Sequence, residues 1–143
     1  MLYTPLTEHA MRIAYDAHHG QVDRAGLPYV FHPYHLAEQM DDEDSICVAL
    51  LHDVVEDTDT TLDDLRDMGF PAQVVDALAL LTHDPAVPYM DYVATIKTNP
   101  LAAKVKLADL THNSDLTRLP GEPGPKDLAR REKYLAAMEL LRS

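Results

Sequence analysis

Positive charge is scarce in this chain: 12 Lys and Arg stand against 24 Asp and Glu in 143 residues, a formal charge of −12 with histidine neutral. Binding duplex DNA by phosphate neutralisation, or docking on anionic membranes, takes many basic side chains, so both classes of partner are disfavoured. Cysteine is nearly absent. Cys47 stands alone, which excludes an intramolecular disulfide and any metal site built of thiolates only. Its setting, Ile46-Cys47-Val48-Ala49-Leu50-Leu51, reads as that of a small buried hydrophobe. No apolar run approaches the roughly 18–20 residues that span a bilayer, and no charged N-terminal region leads into an apolar stretch. The expected location is therefore cytoplasmic. Period-2 strand patterns, internal repeats, low-complexity tracts and interdomain linkers are also missing.

What is present fits one domain over residues 1–143, with 46% apolar and 25% charged residues, ordinary for a soluble globular chain. The acidity is local. From Asp41 to Asp67 there are 11 acids and one base, Arg66, or −10 in 27 residues; the other 116 hold 13 acids and 11 bases, only −2.

Proline and glycine punctuate segments of helical spacing, and the expectation is an all-α bundle of seven or eight helices. Thr4-Pro5 opens a first helix that ends at Gly20. Residues 21–31 read as loop, and a short helix follows Pro33 to about Met40. Asp44 or Ser45 caps a helix running to about Asp57; its first half is apolar all round, which places it at the centre. Thr60 or Thr61 caps the next, ending at Gly69. Further helices are expected over Pro71–Leu81, Tyr89–Thr98, Pro100–Leu116 and, after the Pro- and Gly-rich loop 120–125, to about Leu141.

Chemistry concentrates in His52-Asp53-Val54-Val55-Glu56-Asp57. At about 100° per residue, positions 52, 53, 56 and 57 of a continuous helix share an arc of about 140°. Three carboxylates and an imidazole on one face repel, and a cation would relieve them; the plain alternative is a solvated acidic helix end. His32-Pro33 lies upstream at a loop-to-helix junction. Asp109 falls mid-helix in Lys106-Leu107-Ala108-Asp109-Leu110-Thr111-His112-Asn113, where a buried carboxylate needs a partner. Mixed imidazole and carboxylate donors suit Mn²⁺, Fe²⁺ or Zn²⁺.

These motifs resemble the HD-domain metal-dependent phosphohydrolases, and within them the RelA/SpoT-type branch that hydrolyses the guanosine alarmone (p)ppGpp. The resemblance runs in order through Ala17-His18-His19-Gly20-Gln21, Gly26-Leu27-Pro28-Tyr29-Val30-Phe31-His32-Pro33, Leu50–Thr58 and Val105–Asn113, covering about residues 6–118. It implies a compact HD-type helical fold, with His32, His52, Asp53 and Asp109 as ligands of one Mn²⁺. It further implies Glu56 and Asp57 as the acidic pair that orients or deprotonates the attacking water, and Asn113 as a nucleotide contact. Arg24 and Lys106 are the candidates for phosphate contact, Lys106 having the alternative of partnering a nearby carboxylate. The implied reaction removes the 3′-pyrophosphate, giving GDP or GTP and pyrophosphate. Long members carry a synthetase domain after the hydrolase; with the chain ending at Ser143, hydrolysis without synthesis is the expectation.

Two positions depart from the branch. Asp23 stands where the first of two basic residues is usual, leaving Arg24, and Leu110 follows Asp109 where arginine is frequent. Neither touches an implied ligand or the acidic pair, so they bear on the base recognised. Two other readings follow: an HD phosphohydrolase acting on another phosphorylated nucleotide, such as NADPH or a nucleoside polyphosphate, and a non-catalytic metal-stabilised sensor module. His9, His35 and His83 read as surface residues, while His18 and His112 are open between core and site. Tyr29 reads as packing its loop, and Arg130, Arg131 and Lys133 as a solvated face. A homodimer is the default for the assembly.

Overall fold

The computed structural model describes all 143 residues as helices joined by short loops: α1 (Pro5–Ala17), α2 (Phe31–Glu38), α3 (Glu43–Leu51), α4 (Val54–Asp57), α5 (Leu62–Asp67), α6 (Ala72–Leu81), α7 (Tyr89–Lys97), α8 (Pro100–Asn113) and α9 (Pro125–Arg142), with a 3₁₀ turn at Leu116–Arg118. The extended pairing amounts to one isolated bridge between Val22 and Pro28. No helix is long and apolar enough to cross a membrane.

Several boundaries follow the expected signals. Thr4 caps α1 by accepting from the Thr7 N–H, and Pro5 fills the first turn. Thr61 caps α5 in a reciprocal box with Asp64. Other boundaries differ from expectation. α1 stops at Ala17, and three residues on Gly20 takes φ +85°, the left-handed turn that sends the chain into the loop. The cap of α3 is Asp42, not Asp44 or Ser45: its Oδ1 accepts the Ser45 N–H at 2.8 Å. α2 begins at Phe31, which puts His32 in its first turn.

The largest correction is at the acidic motif. The helix expected to reach Asp57 breaks at His52-Asp53, and α4 is a separate single turn. The reason is local. His52 Nδ1 donates to the Ala49 carbonyl at 2.6 Å, an acceptor that an unbroken helix would use for the Asp53 N–H. This turn accounts for the ninth helix.

α3 is central, as its composition required. Every residue from Ser45 to Leu51 is buried, and α1, α2, α6 and α8 pack around it. All nine helices contribute to the same apolar cluster. Leu50, about 1% exposed, sits one turn before the chemistry. Leu50→Ala is expected to cost about 2–5 kcal/mol through lost burial and the cavity left behind. The check is the urea midpoint at unchanged slope; a shift equivalent to a surface substitution would contradict the central placement of α3.

Candidate active site

Three helices converge at one end of α3. α2 contributes His32, the turn after α3 contributes His52 and Asp53, and α8 contributes Asp109. One ligand atom from each of His32, His52 and Asp109 lies within 4.8 Å of the others, and all three residues are buried. His32 Nε2 is 2.8 Å from Asp109 Oδ1. His52 Nε2 is 3.5 Å from Asp109 Oδ1 and 3.0 Å from Asp53 Oδ2. Yet His52 Nε2 is aligned for a hydrogen bond to neither and is left without a partner in the interior. Since Nδ1 already donates to Ala49, in the neutral ring Nε2 carries the lone pair and faces two carboxylates. A buried lone pair facing acceptors needs a cation, either a proton or a metal. The donor set therefore fits a divalent ion.

The carboxylates are held from behind. Lys106 Nζ donates to Asp109 Oδ2 at 2.8 Å, and Asn113 Nδ2 to Asp109 Oδ1 at 3.0 Å. Tyr29 OH donates to Asp53 Oδ2. Burial by itself would push the Asp53 and Asp109 carboxyls up; the neighbouring His52, with Lys106 at Asp109, instead holds Asp109 well below the usual range and Asp53 near 2. For His52, burial opposes charge but the two carboxylates win and raise it well above the ordinary imidazole value. Without metal, the two carboxylates thus favour a proton on His52 Nε2.

Metal must displace that proton, so affinity should rise with pH, with close to one proton released per ion near neutrality. Calorimetric titrations in buffers of different ionisation enthalpy measure the release. Binding without proton exchange would contradict the charge state of His52.

Glu56 and Asp57 follow on α4, more exposed than the cluster. Both carboxyls are raised, first by partial burial and then by the Asp53 charge. His32 has a second contact: its Nδ1 lies 2.7 Å from His112 Nδ1. Burial, Arg118, His32 and His35 together push His112 down to about 4.

A cleft of about 410 Å³ opens beside the cluster, sharing Tyr29 and Asn113 with it. Arg24, Arg118, Arg130, Arg131 and Tyr134 line it, along with Asp23, Asp115 and Asp127. Lys106 is not among the lining residues; its ammonium sits behind Asp109. Asp23 turns the loop by accepting the Ala25 and Leu27 N–H groups, and lies 3.7 Å from Arg118. His112, open between core and site on sequence alone, stands against His32. Three contributions escaped sequence reasoning: the Tyr29 bond to Asp53, Arg118, and the placement of Arg130 and Arg131 on the cleft wall. Helical spacing carried a signal only for the last pair, whose polar face reads equally well as solvated.

No family model matches the sequence. Among curated proteins, the human guanosine-3′,5′-bis(diphosphate) 3′-pyrophosphohydrolase MESH1 is 38% identical over 108 residues, 67% of this chain and 60% of that protein. The bifunctional (p)ppGpp synthase/hydrolase SpoT of Escherichia coli K12 is 32% identical over 118 residues, 73% of this chain but 17% of that protein. This chain thus spans less than two thirds of either relative. A solved structure, described as a metazoan orthologue of SpoT that hydrolyses ppGpp and plays a role in starvation responses, superposes with a TM-score of 0.81 at 22% identity, over 100% of this chain and 89% of that one. The all-helical fold is shared with it.

Proposed function

We propose that this homologue of the guanosine alarmone 3′-pyrophosphohydrolases is itself a metal-dependent hydrolase, removing the 3′-pyrophosphate of (p)ppGpp to give GDP or GTP and pyrophosphate. The observation that carries the reading is the buried, unpartnered Nε2 of His52 facing Asp53 and Asp109, on the edge of an arginine-lined cleft. His32, His52, Asp53 and Asp109 would hold the ion, with Mn²⁺ the first choice and Fe²⁺ or Zn²⁺ compatible with the same donors. A divalent cation bound there lowers the pKa of water and offsets charge on phosphoryl oxygens.

The protein's own groups supply the rest. In the reaction a water oxygen bonds to the phosphorus next to the ribose 3′ oxygen, and that P–O bond breaks. The water gives up a proton and the 3′ oxygen gains one. Glu56 and Asp57 take the water proton: burial and the Asp53 charge raise both carboxyls, which makes them stronger bases than ordinary carboxylates. Arg24, Arg118, Arg130 and Arg131 give the cleft planar donors suited to phosphate oxygens. Asn113 joins the two regions, donating to Asp109 while lining the cleft. Lys106 keeps Asp109 ionised from behind.

Asp23 on the cleft wall favours a second reading, another phosphorylated nucleotide such as NADPH or a nucleoside polyphosphate, because it removes positive charge where a base would sit. A screen separates the two. The Mn²⁺-loaded protein is offered ppGpp, NADPH and nucleoside triphosphates, and pyrophosphate and orthophosphate are measured with and without chelator. The alarmone reading expects pyrophosphate from ppGpp alone, lost on chelation. Preferential turnover of NADPH or a triphosphate moves the assignment to the second reading. Silence on every nucleotide leaves a metal-stabilised binding module and overturns both.

A further inference from the structure

Two imidazole nitrogens 2.7 Å apart, His32 Nδ1 and His112 Nδ1, share a single proton, with ring planes within 3° of parallel. One nitrogen donates and the other accepts. We infer that His112 is a positioning residue that accepts this proton from His32, fixing the tautomer that leaves His32 Nε2 free as a metal ligand. The inference rests on the metal reading of the site given above.

The alternatives are few. With the proton on His32 Nδ1, Nε2 presents a lone pair toward His52 and Asp109, and His112 carries its own proton on Nε2. With the roles reversed, the His32 proton sits on Nε2, aimed at Asp109 Oδ1 2.8 Å away, and the ligand position is closed. The state of His112 therefore selects between an open and a closed site. His52 solves the same problem with a backbone carbonyl, that of Ala49, which can only accept. His32 depends on a side chain that can play either part, so its surroundings have to hold it.

They do so from three sides. His112 lies on α8 three residues beyond Asp109, so orienter and ligand share one rigid helix. Arg118 Nη1 donates to the His112 carbonyl at 2.9 Å, tying down the end of that helix. His35, one turn after His32 on α2, stacks on the His112 ring with centroids 4.1 Å apart. Hydrogen-bond partners of metal-binding histidines commonly govern ring orientation and affinity in this way.

The test compares His112→Phe, which keeps a ring without an acceptor, with His112→Asn, whose Oδ1 restores an acceptor near the Nδ1 position. Mn²⁺ affinity is measured calorimetrically, and the His112 tautomer is read from ¹⁵N shifts of the wild-type protein loaded with diamagnetic Zn²⁺. The expected result is His112 unprotonated on Nδ1 in the loaded protein, affinity lowered about 10–100-fold in His112→Phe, and most of that loss recovered in His112→Asn. Unchanged affinity in a folded His112→Phe protein overturns the inference while leaving the metal site standing. Should that variant not fold, Zn²⁺-loaded wild-type protein with His112 protonated on Nδ1, or His112→Asn as impaired as an acceptor-free site, overturns it equally. A wild-type protein that binds no Mn²⁺ overturns the metal reading itself, and this inference with it.

Discussion

Replacing Glu56 by Gln together with Asp57 by Asn is expected to abolish turnover while leaving bound metal in place. Both changes keep shape and remove only the ability to take a proton. General-base assistance is worth about 10²–10⁴ in rate, and with both acids gone no carboxylate outside the ligand set remains on that turn. The fold should not suffer. Both carboxyls are raised by burial and by Asp53, so their charges are held at some cost and neutral amides relieve it. A base with a raised pKa is protonated, and lost, at a higher pH than an ordinary carboxylate. The acid limb of the wild-type rate profile should therefore lie above the usual carboxylate range. The checks are steady-state rates and metal content of the double variant. Loss of metal would mean that the pair are ligands rather than bases.

Asp109→Ala has the second large effect, on metal and stability together. Asp109 accepts from His32, Lys106 and Asn113 and faces His52, at about 5% exposure. Removing it strands the Lys106 ammonium, whose side chain is 13% exposed. Breaking one half of a buried pair costs about 3–5 kcal/mol. Stabilisation by metal should vanish as well, since only the folded state presents the ligands. The Asp109 carboxyl is held well below its unfolded value, despite burial, by Lys106 and the two histidines. Its contribution is therefore complete above the unfolded aspartate pKa of about 3.9 and declines as pH falls through the lower folded value. Melting curves with and without metal, at neutral pH and in acid, measure both effects. A variant as stable as the wild type, still raised by metal, would remove Asp109 from the centre of the site.

The all-helical architecture was legible because proline, glycine and caps such as Thr4 and Thr61 act within a few residues, and the buried run Ile46–Leu51 announced its own central place. The candidate site was legible where residue type carries chemistry: His32, His52 and Asp109 are brought within ligand distance of one another, and Asp53 lies against His52. What stayed hidden depends on contacts between distant segments. The break at His52 arises from a side chain capturing the Ala49 carbonyl, which periodicity cannot register, so the arc drawn through positions 52–57 on a continuous helix does not hold. Tyr29 reaches Asp53 across 24 residues of chain, and His32 meets His112 across 80. Arg130 and Arg131 look like any solvated helix face until α9 is laid beside the loop after α8. The sequence-wide acidity also resolves into parts. Asp53 lies against His52 and Glu56 and Asp57 follow on α4, Asp42 and Asp64 act as caps, and the cleft itself carries four arginines against three aspartates.

The hydrolase reading is tested by incubating Mn²⁺-loaded protein with ppGpp and following the mixture by ³¹P NMR. The 3′-diphosphate signals are expected to disappear while those of GDP and free pyrophosphate grow in equal amounts. Intact ppGpp after incubation with protein shown to hold the metal, or release of orthophosphate in place of pyrophosphate, would contradict it.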